Sequence, residues 1–308
     1  MPTVSVILPT FNRVEFLRLA VASVYSQTYS DWEMIIADDG SNEETRAYLR
    51  SITGPQVRTI WLPHSGNPSK VRNAAIAASC GRYLAFLDSD DTWAPSKLNN
   101  QIEALRDRAA CRWSYTDCDL IDERGHRFIN ERFQRFTIQD GWIFEPLLKL
   151  EISIAMPSVV VARDLIDIVG GFDENQLFGE WQDLVLRLAM KSEVVALRES
   201  MCSVRIHDKQ YSGDQVAATM GWMRLYEKMA GLIPTPQLQT FCAQMRAETS
   251  LKVARLLGAK GDYRGVWTTL ARASVFSCRY PHWWWGALKA VARPAVPRVL
   301  MTALRRRG

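Results

Sequence analysis

Three carboxylates stand within four residues at Asp88-Ser89-Asp90-Asp91, directly after the apolar run Leu84 to Leu87. Carboxylates this close repel one another, so the arrangement is costly unless a positive charge sits among them. A divalent cation that prefers hard oxygen ligands supplies such a charge, and Mg²⁺ commonly binds through one or two carboxylates together with substrate phosphates. The competing reading is a strand followed by an acidic, helix-capping turn, which a lone DxDD favours until other residues decide. A second acidic pair, Asp38-Asp39, follows Glu33-Met-Ile-Ile-Ala37, and the polar segment Thr10 to Arg13 follows Val4-Ser-Val-Ile-Leu8 and Pro9.

These clusters can act together only if the fold assembles them. Val4 to Leu8 reads as a strand, and a helical pattern follows from about Arg13 to Gln27, with Phe16, Leu17, Ala20, Val21 and Val24 on one face. Glu33 to Ala37 reads as a second strand, 43–51 as a helix and Val57 to Leu62 as a third strand. Asn67-Pro68 opens the next helix, because Asn is a strong N-cap and Pro suits the first helical position. Tyr83 to Leu87 has the length and polarity of a strand buried on both faces. Strand and helix alternating in units of about thirty residues predict a doubly wound, mostly parallel sheet flanked by helices. Ligands of such sheets bind at the carboxyl ends of the strands, where all three polar clusters fall.

Later segments are more mixed. Short strands are expected around 112–117, 157–162, 194–197 and 201–206, with a helix around Trp181 to Met190 after Gly170-Gly171-Phe172-Asp173. From about Gln215 the pattern is helical and free of strands. The expected organisation is an α/β domain over 1–215 and a helical extension over 216–308.

Composition sets the class. With 308 residues, 47% hydrophobic and 23% charged, the chain has the make-up of an ordinary globular protein. Its formal charge of +5 is uneven: nine Lys or Arg and no acidic residue follow Asp262, and removing those nine leaves −4 for everything before. Six cysteines without a CxxC pair or a nearby His at ligand spacing fit a reducing compartment. No signal peptide and no run of eighteen apolar residues is read, so a cytoplasmic location is expected.

The segment Pro9 to Arg13 has no glycine, which excludes the dinucleotide fingerprint, and GxxxxGK[ST] is absent. Phosphate binding through carboxylates and a bridging metal is left. At this point the sequence resembles family 2 glycosyltransferases of the GT-A fold. The resemblance rests on VSVILPTFNR at 4–13, DWEMIIADDGSNEET at 31–45, SKVRNAAIAASCGRYLAFLDSDD at 69–91, GGFDE at 170–174, DLVLRLA at 183–189 and RIH at 205–207. Any one block is weak; the ordered set over about 215 residues is specific.

The resemblance implies roles. Pro9, Thr10, Asn12 and Arg13 would line the nucleotide pocket, Asp39 would accept a hydrogen bond from the base, commonly uracil, and Arg72 would lie near the diphosphate. Asp88, Ser89 and Asp90 form the DxD element, with Asp88 and Asp90 as ligands of Mg²⁺ or Mn²⁺ and Asp91 orienting the loop. Arg205 and His207 fall in the late motif, and His207 would reach the metal or diphosphate. Against these stand plain structural readings: a turn and N-cap for Asp38-Asp39, an exposed helix residue for Arg72, a core histidine for His207.

The chain departs from the family where the base is expected. Relatives carry Glu-Asp before an aromatic residue and Asp, whereas this chain reads Gly179-Glu180-Trp181-Gln182-Asp183, placing Trp181 at the base position. Glu180 is the first replacement and Asp183, about 300° further round the helix, the second. The implied activity is metal-dependent, inverting transfer from a nucleoside-diphosphate sugar, a UDP-sugar by preference, to a glycan or lipid-linked acceptor of cell-surface polysaccharide or glycolipid synthesis. The alternative is a nucleotide-sugar-binding module without catalysis. At the other end of the chain, Trp283-Trp284-Trp285 and the basic run from Lys289 through Arg293, Arg298 and Arg305 to Arg307, interrupted by Pro294 and Pro297, suit peripheral contact with the anionic inner face of the cytoplasmic membrane. The competing reading there is a packed aromatic cluster with a solvated tail. No basic stripe accompanies the site, so nucleic acid is not expected, and oligomeric state is not legible.

Overall fold

A computed structural model describes residues 2–130, 137–207 and 214–292. Of the basic C-terminal run, Arg293, Pro294, Pro297, Arg298 and Arg305 to Arg307 lie outside the described residues. The chain divides into two compact units, Met1–Asp208 and Lys209–Gly308.

Unit 1 begins with β1 (Val4–Thr10), α1 (Val14–Tyr25), β2 (Trp32–Asp38), α2 (Glu43–Ser51), β3 (Val57–Trp61), α3 (Pro68–Ala78) and β4 (Tyr83–Phe86). It continues through β5 (Thr92–Trp93), α4 (Lys97–Asp107), β6 (Trp113–Ile121), α5 (Phe144–Leu148), β7 (Val160–Ala162), α6 (Arg163–Val169), α7 (Glu180–Ala189) and β8 (Val194–Arg205). One eight-stranded sheet runs β3-β2-β1-β4-β7-β6-β8-β5. Strands β1 to β4 pair parallel, as do β6 and β8, while β7 is antiparallel to both its neighbours and β5 to β8.

The first half forms as its sequence directs. β1, β2 and β4 are apolar over most of their length and almost wholly buried, as strands covered by helices on both faces must be. Leu17, Ala20, Val21 and Val24 of α1 pack on them, with Leu8, Met34 and Ile36 in the same core. Asn67 caps α3, its side chain accepting from the Ser69 and Lys70 amides, with Pro68 in the first turn. The later half differs from expectation in two places: of the strand expected at 157–162 only Val160–Ala162 forms, after a 3-10 turn at Met156–Ser158, and the strands expected at 194–206 join. The two short strands expected at 194–197 and 201–206 are one strand, β8, whose exposed middle at 198–200 carries the chain past a register shift against β6 at Thr116 to Cys118. A bulge bridges the polar interruption that reads in sequence as a break.

Among its described residues, unit 2 holds α8 (Gln215–Leu232), α9 (Pro236–Ala259), α10 (Tyr263–Ser277) and α11 (Pro281–Ala292). Ala247, Leu251 and Ala254 of α9, Val266, Leu270 and Ala273 of α10, and Trp283, Ala287 and Ala290 of α11 share one core. No described helix is long and apolar enough to cross a membrane.

Candidate active site

Register brings the polar clusters to one edge of the sheet. Thr10 pairs with Asp38 at the ends of β1 and β2, and Ile7 pairs with Phe86 near the end of β4. The Thr10 to Arg13 turn, Asp39 and the Asp88 to Asp91 loop therefore leave the sheet side by side. The first turn is strained: Asn12 and Arg13 both have left-handed backbones, at φ 57° and 62°. Such geometry costs about 1–2 kcal/mol for a residue with a side chain. It is held by the Asn12 amide donating to Ser41 Oγ (2.7 Å) and Asn12 Oδ1 accepting from the Asn42 amide (2.9 Å). The result aims Arg13 at the acidic loop. Pro9 is half-buried at the end of β1, and Thr10 is buried behind the turn.

Two ion groups meet there. Arg13 Nη1 lies 2.6 Å and His207 Nε2 3.0 Å from the same oxygen of Asp90. Arg72 reaches Asp88 with Nη2 (2.9 Å) and Glu180 with Nη1 (3.2 Å), so one buried guanidinium links the DxD loop to the start of α7. Burial works against the Arg72 charge, but the Asp88 and Glu180 carboxylates more than offset it and raise its affinity for the proton. Asp88 is shifted the other way from ionisation: burial and the neighbouring Asp90 raise its pKa despite Arg72. Asp91 is raised well above the usual carboxylate range, first by burial and then by Asp90 and Asp88.

The three aspartates present oxygens that all lie within 4.8 Å of one another. Hard oxygen donors this close, two of them at an incompletely covered edge and two held short of easy ionisation, suit a divalent cation. Asp88 and Asp90 keep part of their side-chain surface open, whereas Asp91 is 4% exposed and accepts from the Arg205 amide at 2.8 Å. Ser89 is buried between the two aspartates in sequence.

Glu180 lies at this edge, whereas Asp183 and Arg205 are buried in the interior. Glu180 is the first residue of α7, after Gly179 at φ 76°, and its side chain is 14% exposed beside Arg72. Asp183 is not at this edge in a usable way: it is fully buried and salt-bridged to Arg187 at 2.6 Å, and Arg187 also binds the Val169 and Gly171 carbonyls. Asp183 therefore clamps the 169–171 turn, because the inner face of α7 points it away from solvent. Arg205, expected from the late motif to bind the nucleotide-sugar, is also buried. Its guanidinium donates to the carbonyls of Asp90, Asp122 and Glu123 and packs on Phe16, so it braces the acidic loop from behind. Trp181, at the position where the resemblance places a base, is a core residue: its indole donates to Ile154 O and its ring meets Phe86 and Phe172.

Asp39 is occupied within the chain. Oδ1 accepts from the Ser65 amide and hydroxyl, Oδ2 from the Gly66 amide, and His64 Nδ1 lies 3.1 Å from Oδ2. His64 stacks on Phe11, with ring centroids 4.1 Å apart. Gly40 permits this approach, since a Cβ there would meet the His64 amide nitrogen at 2.8 Å. His64 and Ser65 went unread in the sequence, although a polar, glycine-containing loop at the end of a third strand was the available signal. Asp38 is buried and accepts from the Ser41 amide, the turn role weighed for one of the pair.

Comparison with known proteins bears on the family and the fold. Residues 5–150 match the model of the family described as Glycosyl transferase family 2. Over 126 residues the chain is 37% identical to TuaG of Bacillus subtilis (strain 168), by name a teichuronic acid biosynthesis glycosyltransferase, covering 40% of this chain and 50% of that protein. Over 164 residues it is 33% identical to the Escherichia coli UDP-Glc:alpha-D-GlcNAc-diphosphoundecaprenol beta-1,3-glucosyltransferase WfgD, covering 53% of this chain and 62% of that protein. The matches thus span about half to three-fifths of these relatives. Among solved structures, S. aureus TarS 1–349 in complex with UDP-GlcNAc superposes with a TM-score of 0.64 at 15% identity, over 96% of this chain and 82% of that one. The mannosyltransferase PcManGT from Pyrobaculum calidifontis, in complex with GDP-Man and Mn²⁺, gives 0.60 at 16% identity, over 94% of this chain and 86% of that one. These likenesses show the GT-A fold.

Proposed function

Residues 5–150 of this chain belong to glycosyl transferase family 2, and from that premise we propose that the protein transfers a sugar from a nucleoside diphosphate, UDP by preference, to a lipid-linked or glycan acceptor, with inversion at the anomeric carbon. The observation that carries the reading is the Glu180–Arg72–Asp88 linkage, which sets a carboxylate and an arginine beside the acidic loop at the sheet edge. The names of WfgD and of the TarS complexes, which mention UDP-Glc, UDP-GlcNAc and UDP, support the donor, and the diphosphoundecaprenol in WfgD's name supports the acceptor class.

In this reading Thr10, Asn12 and Arg13 hold the nucleotide beside the loop at 64–66 that Asp39 organises. Asp88 and Asp90, with His207 behind Asp90, would hold Mg²⁺ or Mn²⁺, which neutralises charge on the diphosphate when bound. Arg13 and Arg72 then exchange part of their bonding to Asp90 and Asp88 for the diphosphate. Release of Arg72 from Glu180 leaves that carboxylate able to accept the proton of the acceptor hydroxyl. The hydroxyl oxygen bonds to the anomeric carbon as the bond from that carbon to the diphosphate oxygen breaks, and the electron pair leaves with the diphosphate. A domain over 1–215 suffices for these roles, with 216–308 as an extension that brings the chain to a membrane-borne acceptor.

Burial of Trp181 in place of a base favours a second reading, a binding module without turnover. Nucleotide release from a panel of UDP- and GDP-sugars, with Mn²⁺ or Mg²⁺ and a lipid-diphosphate acceptor, separates the two. Transfer predicts acceptor-dependent release that EDTA abolishes. Donor binding without release from any member of the panel would establish the module.

A further inference from the structure

The tryptophan triplet is divided by the fold. Trp283 is 1% exposed and its indole donates to Ser250 Oγ at 3.0 Å. Trp283, Gly286, Ala287 and Ala290 make the inward face of α11. A Cβ at Gly286 would stand 2.5 Å from Leu251 Cδ1, so this face is closely packed on α9. The opposite face carries Trp284, Trp285 and Leu288, which are 46%, 69% and 62% exposed, with Lys289 beside them. A helix apolar on two opposite faces normally has a partner on each.

The adjacent helix repeats the pattern. Val266, Leu270 and Ala273 of α10 face the core, while Trp267, Ala271 and Val275 run along the outside at i, i+4 and i+8, flanked by Arg264 and Arg272. Trp267 and Val275 are 60% and 82% exposed. The four acidic residues of unit 2 lie elsewhere: Asp214 caps α8, Glu227 pairs with Arg246, Glu248 is bonded by Gln244, and Asp262 caps α10. Every charged residue after Asp262 is basic, including Arg264, Arg272, Arg279 and Lys289 among the described residues.

We propose that the outward faces of α10 and α11 are a docking surface for an anionic lipid bilayer, with Trp267, Trp284 and Trp285 at headgroup depth, Leu288 and Val275 toward the acyl chains, and the basic residues on lipid phosphates. Charge selects this occupant. A second copy of the chain would set basic faces against each other, and nucleic acid offers phosphate but no hydrocarbon for Leu288 and Val275. An anionic bilayer supplies both, and indole rings prefer its interface. The surface names the partner of the lipid-linked acceptor reading, yet it is read without donor or acceptor, so its failure leaves the transfer proposal standing.

Flotation of the full chain with phosphatidylcholine vesicles, with and without about one third phosphatidylglycerol, tests it. The full chain should float with the anionic vesicles only, and about 1 M salt should return it to the soluble fraction. The variant Trp284→Ser/Trp285→Ser/Leu288→Ser should partition at least about tenfold less, with unchanged circular dichroism because these side chains are exposed. Arg272→Glu/Lys289→Glu should lose the anionic preference by a similar factor. Wild-type protein left soluble beside anionic vesicles, or a triple variant floating as wild type, would overturn the surface. A lipid-free dimer in light scattering that the triple variant dissolves would overturn it too, by assigning the face to a second copy.

Discussion

Two charge-rich layers of unit 1 differ in how they are closed. At the sheet edge, Asp88, Asp90 and Glu180 share Arg13, Arg72 and His207 and keep part of their surface open. In contrast, Asp91, Asp183, Arg205 and Lys97 are sealed, held among others by the Arg205 amide, by Arg187, by the carbonyls of Asp90, Asp122 and Glu123 with the Phe16 ring, and by Gln101 with the Trp93 ring. Both layers have carboxylates and cations at bonding distance. Only the open one can exchange those partners for a substrate without exposing a buried charge, because breaking a sealed pair leaves an uncompensated ion in a medium of low polarity. Activity should therefore depend on the open layer and stability on the sealed one.

The largest effect is expected at the open layer. Asp88→Asn/Asp90→Asn should reduce nucleotide release about 100- to 1000-fold while the chain still folds, since relief of the carboxylate repulsion offsets part of what the lost ion pairs to Arg13, Arg72 and His207 contributed. A variant that unfolds instead would move these aspartates into the structural layer. Next comes the sealed pair. Asp183→Asn should destabilise unit 1 by about 3–5 kcal/mol in denaturant melts by leaving Arg187 buried without its carboxylate, while turnover per folded molecule stays near that of the parent. Loss of turnover at intact stability would return Asp183 to the chemistry.

The smallest effect concerns Lys97, fully buried, hydrogen-bonded to Gln101 Oε1 and set over the Trp93 ring. Burial lowers its pKa from 10.5 to about 7. Between those values the unfolded chain holds a proton that the folded chain has lost, so stability rises with pH across the window, by at most about 1.4 kcal/mol per pH unit for one proton. Below pH 7 both states are protonated and the contribution is flat. Lys97→Met should remove that slope, which paired denaturant melts at pH 7 and pH 9 would read.

The sequence was most legible where one physical rule acts alone. Apolar runs ending in polar clusters gave β1, β2 and β4, and Asn67-Pro68 gave the start of α3, because strand burial and helix capping are local. Carboxylate crowding alone left Asp88 to Asp91 open between a cation site and a capping turn, and the DxD reading came from the resemblance. What failed to show was the direction of side chains on later elements. Asp183 and Glu180 are both acidic residues in the first turn of α7, and nothing local tells which faces the sheet edge and which the turn at 169–171. Arg205 reads as an open cation because its carbonyl partners come from residues 90, 122 and 123, which are distant in sequence. Trp283, Trp284 and Trp285 read as a unit, although successive residues of a helix point about 100° apart.

Glu180 carries the account, and its separation of binding from turnover is the most direct measurement. Donor affinity by calorimetry and nucleotide release should be measured on the full chain and on Glu180→Gln, with the same UDP-sugar, metal and acceptor. The account predicts donor affinity within a few-fold of the parent and release slowed about 100-fold or more. Release at the parental rate with intact donor binding would contradict it and remove Glu180 from proton transfer.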